Sequence, residues 1–504
     1  MPISVPEAID MLGYWRPHSE FQSWLQKQVF ARMATHRPAI ELHAVLLEKV
    51  FTLDLDRAKP IVAELYSPTG RPARFQPEIL RALFVAAHLK TGVVELLKRL
   101  AAEEILALAC GFEPGQSPAV GSFYDLMTRF YPTGSNPKRL RKPRVKSAKG
   151  TKLKAGQKLE PKHPGIVERI VKMYLRGRRL TKRPERTLQR IFAECAVMPS
   201  ARLELLGNVD NLVIAGDGAP LRTGASPFGR KVCQCKERGI FRCHCPRRYS
   251  DPEANFGWDS YHEQFFYGHT LYSLTSARSH NDLPLLLRLV QASRHDSITF
   301  LFAFSEFREL YPQFRVSKVL LDSAHDAQPL YELLYREEIE PFIDLNPRHH
   351  NRTYSGPIAY DEAGVPICPA GLKMKCWGFN RKRVRTKWRC PFYNKLERCP
   401  RKDDCSPSPY GRVVYTKPQW DVRTFTPVPR GSEAWKKVFA GRTSVERTFK
   451  RLLVDYRIEE ARLRGKGRWF FRVTLAAMNQ HLDAQVAKAG RLLSDKLACI
   501  SIAA

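Results

Sequence analysis

The 504-residue chain has 83 Lys and Arg residues against 50 Asp and Glu residues, a formal net charge of +33, and 43% of its residues are hydrophobic. This length and apolar content predict about three globular domains, or one large domain with insertions. The charge predicts a polyanionic partner, and nucleic acid fits better than a membrane because no apolar run reaches the ~18 residues of a spanning helix and residues 1–20 lack the pattern of a signal peptide.

The twelve cysteines are concentrated in one part of the chain, ten of them between Cys195 and Cys405. In a reducing compartment, clustered cysteines indicate metal sites rather than disulfides. Cys110 and Cys499 lie in apolar surroundings and are predicted to be small core residues.

Residues 1–136 are predicted to form a helical N-terminal domain. Apolar residues recur three and four positions apart in residues 42–51 and 77–112, where Pro77 opens and Gly111 closes the second helical stretch. Such a domain can place a helix in a DNA groove. A packing or dimerisation role is an equally good interpretation.

Residues 137–164 are rich in Lys, Arg, Pro and Gly, with Glu160 as the only acid. This composition predicts a basic linker that lies along a phosphate backbone, although a solvated spacer is similar in composition. A basic helix is predicted near residues 167–197.

Residues 212–215 form a short apolar run that predicts a buried strand ending at Asp217. Gly216 and Gly218 flank that carboxylate, so the backbone can turn sharply and leave room for a ligand. A metal-binding carboxylate is one interpretation, and an ordinary Asp-Gly turn is the other.

The segment 230–250 carries two Cys-x-Cys pairs separated by charged residues. Four thiolates from adjacent turns can hold one tetrahedral Zn²⁺, and interleaved Lys, Arg and Glu make a dry core implausible. His244 is an alternative ligand. The predicted zinc ligands are Cys233, Cys235, Cys243 and Cys245.

Strands and helices alternate over the rest of residues 165–346, which predicts an α/β domain with a mixed sheet. Residues 265–276 and 340–346 are predicted strands, 281–293 and 326–334 predicted helices, and 316–322 a strand that ends in Asp322. Asp326 is interpreted as an N-cap, and His325 as either incidental or a residue that orients water or DNA.

Residues 347–430 interrupt this pattern with five cysteines among many Pro, Lys and Arg residues and interleaved aromatic side chains. We expect an insertion that binds Zn²⁺ and tracks DNA with stacking surfaces, or a zinc-stapled module without a DNA role. The favoured ligands are Cys368, Cys390, Cys399 and Cys405.

Residues 431–490 are predicted to continue the α/β domain with a regular amphipathic helix over 440–456, capped by Thr443 or Ser444. Residues 464–488 are predicted to form a basic turn followed by a second amphipathic helix. Glu446 lies at the edge of the apolar stripe that includes Phe449 and Leu453. Arg442 and Lys450, four residues before and after it, can form ion pairs with it.

Asp217 and Asp322 are therefore predicted to end two strands, and Glu446 is predicted to lie on a helix. If they converge, they need a cation, because two like charges ~4 Å apart repel by about 4 kcal/mol at an effective dielectric of 20. Oxygen ligands suit Mg²⁺ or Mn²⁺, and two such ions support in-line phosphoryl displacement.

At these motifs the chain resembles the DDE transposases of bacterial insertion sequences. The resemblance spans roughly residues 77–482 and is carried by AGDGAP around Asp217, LLDSAHDA around Asp322 and GRTSVERTFKRL around Glu446. One branch of that family has the signature Tyr-x2-Arg-x3-Glu-x6-Lys. Here Arg442 matches, whereas Phe439 stands at the Tyr place and Leu453 at the Lys place, so Lys450 or Arg451 is expected to supply the missing base.

The resemblance implies a ribonuclease-H-like α/β fold, preceded by the all-α domain and interrupted by the Cys-rich insertions. It also implies a bacterial, cytoplasmic and nucleoid-associated transposase, a homodimer or larger oligomer. Such an enzyme binds terminal inverted repeats, through Arg442, Lys450 and Arg451 among others, hydrolyses their ends with Mg²⁺ and joins them to target DNA. The alternatives are a structure-selective nuclease of the same fold and a catalytically silent zinc-containing DNA-binding protein.

Overall fold

The computed structural model describes residues 12–67, 72–131, 140–141, 164–178, 180, 183–346 and 358–503. Residues 142–163 of the predicted basic linker lie outside this part. Within it, no helix is both long enough and apolar enough to cross a membrane.

The predicted N-terminal helical region is confirmed. Its apolar residues, spaced three and four apart, meet in one core that includes Phe21, Phe51, Phe84 and Phe123. The helices are α1 (His18–Ala31), α2 (Arg37–Leu42), α3 (Ala44–Thr52), α4 (Lys59–Ala63), α5 (Gln76–His88), α6 (Val93–Ala102), α7 (Glu104–Cys110) and α8 (Val120–Phe130).

Short elements connect this region to the sheet. The predicted helix 167–197 is broken into α9 (Ile166–Leu175) and α10 (Arg186–Phe192), which continues through a π-helical turn into α11 (Met198–Arg202).

A small separate sheet is formed by β1 (Leu140–Arg141), β3 (Arg230–Lys231) and β4 (Arg247–Arg248). Its strands pair antiparallel in the order β1-β4-β3, and in the chain they lie before and after the first strand of the main sheet.

A six-stranded mixed sheet forms the centre of the molecule, as predicted. Its order is β5-β6-β2-β8-β9, and β7 pairs with β6 beyond the end of β5. Strands β2 and β8 are parallel, as are β8 and β9, while the other pairs are antiparallel. The strands are β2 (Leu212–Arg222), β5 (Asn255–Asp259), β6 (Gln264–Ala277), β7 (Pro284–Gln291), β8 (Val316–Leu321) and β9 (Glu340–Ile343).

Two predictions about these elements are wrong. Strand β2 does not end at Asp217, because its pairing with β6 continues to Arg222 opposite Gly268. Residues 281–293 contain β7 and not a helix. A strand buried on both faces is a continuous apolar run, and periodicity alone does not separate such a run from a buried helix.

Helices cover both faces of the sheet. After β7 comes α12 (Asp296–Leu310), a helix that the sequence did not predict. It packs on β6 and β7. Between β8 and β9 lies α13 (Gln328–Arg336), which packs on α9. Gly218 faces Asp296 at the N-terminus of α12, and Asp217, by strand alternation, faces the opposite side of the sheet.

The described part of the predicted insertion is a set of small elements around two short sheets. These are β10 (Ala359–Tyr360), β11 (Pro366–Ile367), β12 (Lys375–Asn380), β13 (Arg385–Arg389), α14 (Lys402–Cys405) and β14 (Val413–Thr416). Its own small core includes Cys368, Met374 and Trp388.

The C-terminal helices close the fold. Chain order gives α15 (Glu433–Phe439), α16 (Thr443–Lys450), α17 (Lys466–Ala489) and α18 (Leu492–Ala503). Helix α16 packs on β2 and β6, and α17 packs on β7 and also on α3 and α5. The predicted cap at Thr443 or Ser444 is wrong, because a helical path already runs from Glu433, where Ser432 accepts from the backbone N–H of Trp435.

Candidate active site

Asp217 and Asp322 lie side by side on neighbouring strands. The parallel register pairs Gly216 of β2 with Leu321 of β8, and each aspartate is the next residue along its strand. β8 ends there, while β2 continues along β6. The carboxyl end of β8 therefore brings together the two aspartates that the sequence placed more than a hundred residues apart.

Arg442 connects Glu446 to this pair. Its guanidinium donates to Glu446 Oε1 at 2.5 Å from Nη2 and lies 3.4 Å from Asp217 Oδ2 through Nη1. Glu446 is half-exposed, and Phe439, at the Tyr place of the family signature, has its ring centroid 6.0 Å from the guanidinium. Arg442 thus pairs with two of the three acids, Asp217 and Glu446, and its charge also acts on the third, Asp322.

The three carboxylates are drawn toward one cation but not into a closed cluster. Among the described residues, their oxygens do not form a group that all lie within 4.8 Å of one another. Arg442 occupies the space between Asp217 and Glu446. A divalent ion would therefore replace the guanidinium as the shared partner of these carboxylates.

The two aspartates have pKa values shifted in opposite directions. Burial raises the pKa of Asp217 to about 7, and the charges of Asp322 and Asp296 add to this. Burial would also raise the pKa of Asp322, but the hydrogen bond from His325 and the charges of His325 and Arg442 hold it below its usual value. Of these two aspartates, Asp322 is therefore the one that stays ionised more readily.

His325, whose role the sequence left open, is fully buried beside Asp322. Its Nδ1 lies 2.6 Å from Asp322 Oδ1, and its Nε2 lies 2.7 Å from the hydroxyl of Tyr272 on β6. His325 is thus not an incidental loop histidine.

Asp326 is not an N-cap. α13 begins at Gln328, and Ala327 precedes it without a side-chain cap. Asp326 instead accepts from the backbone N–H of Asn346 and from Arg423 through the same Oδ2. Its buried carboxylate therefore ties the start of α13 to the end of β9 and to residue 423.

Sequence reasoning missed a fourth acid, Asp296, the first residue of α12. A Cβ on Gly218 would lie 2.8 Å from Asp296 Oδ1, so this carboxylate lies directly against the strand that carries Asp217. Burial raises the pKa of Asp296, and Asp322 adds to this. An acid just before an apolar helical run was the available signal, and the incorrect helix over 281–293 concealed it.

The predicted basic residues do not all reach the acids. Arg451 donates to the backbone carbonyl of Asp282, next to the ion pair of Arg447 with the Asp282 carboxylate. Lys450 is exposed at the end of α16, and Leu453 is half-buried. Of the three predicted DNA contacts, Arg442 is the one that the fold brings to the acids.

The four thiols of the first Cys-rich segment converge as predicted. The Sγ atoms of Cys233, Cys235, Cys243 and Cys245 all lie within 4.8 Å of one another. Cys233 and Cys243 are 3.5 Å apart, as are Cys235 and Cys245. Hydrogen bonds from the backbone of Cys235 and from Cys243 lower the pKa of Cys233 to about 7. Four thiols, one of them readily ionised, fit a tetrahedral Zn²⁺ site without His244.

The second set is more open. Burial raises the pKa of Cys405, and the charges of Cys390, Cys368 and Cys399 also contribute, so all four thiols are electrostatic neighbours. Among the described residues, the Sγ atoms of this second set do not all lie within 4.8 Å of one another, as those of the first set do. Cys376, which the sequence reading left out of the ligand set, is exposed.

Residues 367–482 match the family model of the transposase DDE domain. The match covers most of the Cys-rich insertion, Arg442 with Glu446, and most of α17. It begins after Asp217 and Asp322 in the chain and therefore does not include them. No curated protein matches the chain.

Proposed function

We propose that this chain, a DDE-type transposase by its matched domain, cleaves the ends of an insertion sequence and joins them to target DNA. The single observation that supports this most is the position of Asp217 and Asp322 on adjacent parallel strands with Glu446 held nearby through Arg442. Carboxylate oxygens are the ligands that Mg²⁺ and Mn²⁺ prefer.

In this proposal, Asp217, Asp322 and Glu446 hold the divalent ions. When bound, these ions stabilise charge on the attacking and leaving oxygens of a phosphodiester displacement. Arg442 would then be available to pair with a DNA phosphate, and Lys450, exposed at the end of α16, would extend that contact. Asp217, with its raised pKa, loses its proton as the ions bind.

The remaining expectations are part of the same proposal. The chain would bind terminal inverted repeats as a homodimer or larger assembly on the bacterial nucleoid, with the basic linker along the phosphate backbone. The net charge of +33 supports a polyanionic partner. The two cysteine sets would hold one Zn²⁺ each.

The test replaces each acid without changing its shape. Asp217→Asn, Asp322→Asn and Glu446→Gln should each abolish Mg²⁺-dependent cleavage of DNA that carries the element ends, while salt-sensitive binding of that DNA persists. Glu433→Gln, on the exposed start of the neighbouring helix α15, is the matched control and should cleave normally. Cleavage by all three acid variants would refute the assignment.

A second assay separates the alternatives. Supplied with pre-cleaved ends and target DNA, a transposase yields joined product, whereas a structure-selective nuclease cuts and never joins. A wild-type protein that binds DNA but never cuts it with Mg²⁺ or Mn²⁺ would be the catalytically silent zinc-containing protein.

A further inference from the structure

Packing and hydrogen bonds hold the side chain of His325 on all sides. Its side chain is completely buried, its ring packs edge-on to Phe300 with centroids 6.1 Å apart, and both ring nitrogens lie within hydrogen-bond distance of a polar atom. A carboxylate accepts only, so Nδ1 carries the proton that it shares with Asp322 Oδ1. The other ring nitrogen, Nε2, lies 2.7 Å from the hydroxyl of Tyr272.

The hydroxyl of Tyr272 reaches His325 because residue 216 is a glycine. A Cβ at Gly216 would lie 2.7 Å from that hydroxyl oxygen. Tyr272 is itself completely buried on β6, and its register places it opposite Gly218. The glycine next to Asp217 in β2 therefore allows Tyr272 of β6 to contact His325, which in turn contacts Asp322.

Both hydrogen bonds that the described residues donate to the Asp322 carboxylate end on the same oxygen. Within the described part of the chain, Oδ1 accepts from the backbone N–H of Ala324 at 3.2 Å and from His325 at 2.6 Å. Fixing one carboxylate oxygen sets the rotation of the whole group. Oδ2 accepts no hydrogen bond from the described residues, so it is the oxygen that is available to an ion.

We propose that Tyr272 and His325 form a positioning chain that orients Asp322 for a divalent ion, with His325 as the positioning residue. This inference rests on the proposed function, because it concerns how a proposed metal ligand is held. Outer partners of metal ligands typically change metal affinity or activity by about 10–100-fold when they are removed. A purely structural histidine would change stability and leave the affinity for metal alone.

The experiment measures Mn²⁺ binding to the full-length protein without DNA, by electron paramagnetic resonance of free Mn²⁺. Wild type, Asp322→Asn, His325→Ala, His325→Asn and Tyr272→Phe are compared, with thermal unfolding measured on each. We expect about 10–100-fold weaker binding for His325→Ala and a partial recovery for His325→Asn, whose amide can replace Nδ1. Tyr272→Phe, which keeps the ring, should weaken binding less than His325→Ala.

The chain offers a matched control in a second His–Asp pair with the same spacing. His262 Nδ1 lies 2.8 Å from Asp259 Oδ2, three residues away, but His262 is exposed and Asp259 lies outside the acidic site. His262→Asn should bind Mn²⁺ as wild type does.

The outcomes separate the two proposals. If Asp322→Asn binds Mn²⁺ as tightly as wild type, or wild type does not bind it, the proposed function fails. If Asp322→Asn loses binding while a folded His325→Ala and Tyr272→Phe keep wild-type affinity, the positioning chain is refuted and the proposed function stands. If His325→Ala does not fold, Tyr272→Phe alone decides between these outcomes.

Discussion

Two glycines flank Asp217, and each gives its space to a different polar side chain. The sequence suggested that they let the backbone turn and leave room for a ligand. Neither belongs to the glycines with positive φ, and β2 runs straight through them. Gly216 makes room for the hydroxyl of Tyr272 and Gly218 for the carboxylate of Asp296. The predicted turn is thus wrong, and the space beside each glycine is taken by a side chain from β6 or α12.

Gly218→Ala tests how tightly this arrangement is packed. The new methyl group would lie 2.8 Å from Asp296 Oδ1 and 2.9 Å from Thr270 Cγ2, so one of them must move. Overpacking of this kind costs about 1–3 kcal/mol. We expect a lower unfolding temperature and slower Mg²⁺-dependent cleavage.

Gly121→Ala is the control for this substitution. Gly121 lies in the first turn of α8, where a Cβ meets no atom within 4 Å. Replacing a helical glycine by alanine there should stabilise the protein by up to about 1 kcal/mol. A Gly218→Ala protein with wild-type stability and cleavage would show that Asp296 moves freely.

Strand β8 is the part of the central sheet that the sequence predicts best. β8 ends next to Asp322 as its short apolar pattern predicts, since a half-buried strand bounded by an acid is a local signal. The prediction of a helix in place of β7 is wrong because the first four residues of this strand are all buried. Only its pairing with β6 distinguishes such a run from a helix, and that pairing is not visible in a local window.

The Cys-rich elements give a prediction about metal content. Because the two cysteine sets are separate, Cys233→Ser should lose one Zn²⁺ per chain and Cys399→Ser the other, as measured by metal analysis of the purified protein. Cys376→Ser, at an exposed position outside both sets, should keep both ions. Full zinc content in Cys233→Ser would contradict the first site.

His481 on α17 makes the packing of this helix on β7 sensitive to acid. Its Nε2 donates to the carbonyl of Pro284, and its Nδ1 lies 2.8 Å from Ser200 Oγ, so the ring is held in its neutral form. Complete burial lowers the pKa of His481 to about 4. The unfolded chain, with a histidine pKa near 6.5, then binds more protons between pH 6.5 and 4.

Stability should therefore fall with acidification in that window, by roughly 1 kcal/mol per pH unit from this residue. His481→Gln removes the titration, so its stability deficit at pH 7.5 should shrink at pH 5 when both proteins are unfolded with denaturant. His88, whose pKa burial also lowers to about 4, titrates in both proteins and cancels. A deficit that is the same at both pH values would contradict a neutral His481.

An ion pair between a buried lysine and a half-exposed aspartate joins the N-terminal helices to the C-terminal ones. Lys49 on α3 is almost completely buried, and its Nζ lies 2.5 Å from Asp483 Oδ1 on α17. Tyr456, which follows the Glu446 helix, donates to the same carboxylate. The sequence predicted both helices, but a contact between such distant residues depends on tertiary packing that no local pattern encodes.

Removing the two partners of this pair should have unequal effects. Asp483→Asn leaves a cationic Lys49 in a site where burial already lowers its pKa, with Tyr456 and Asn479 as neutral partners. Breaking a fully buried pair in this way costs about 3–5 kcal/mol, and the half-exposed Asp483 brings the expected cost here below that range. Lys49→Met removes the buried charge, and Asp483, about half-exposed at 47%, is hydrated, so the cost should be about 1 kcal/mol or less. Denaturant midpoints of the two variants check this order, and an equal loss in both would show that the contact acts through shape rather than charge.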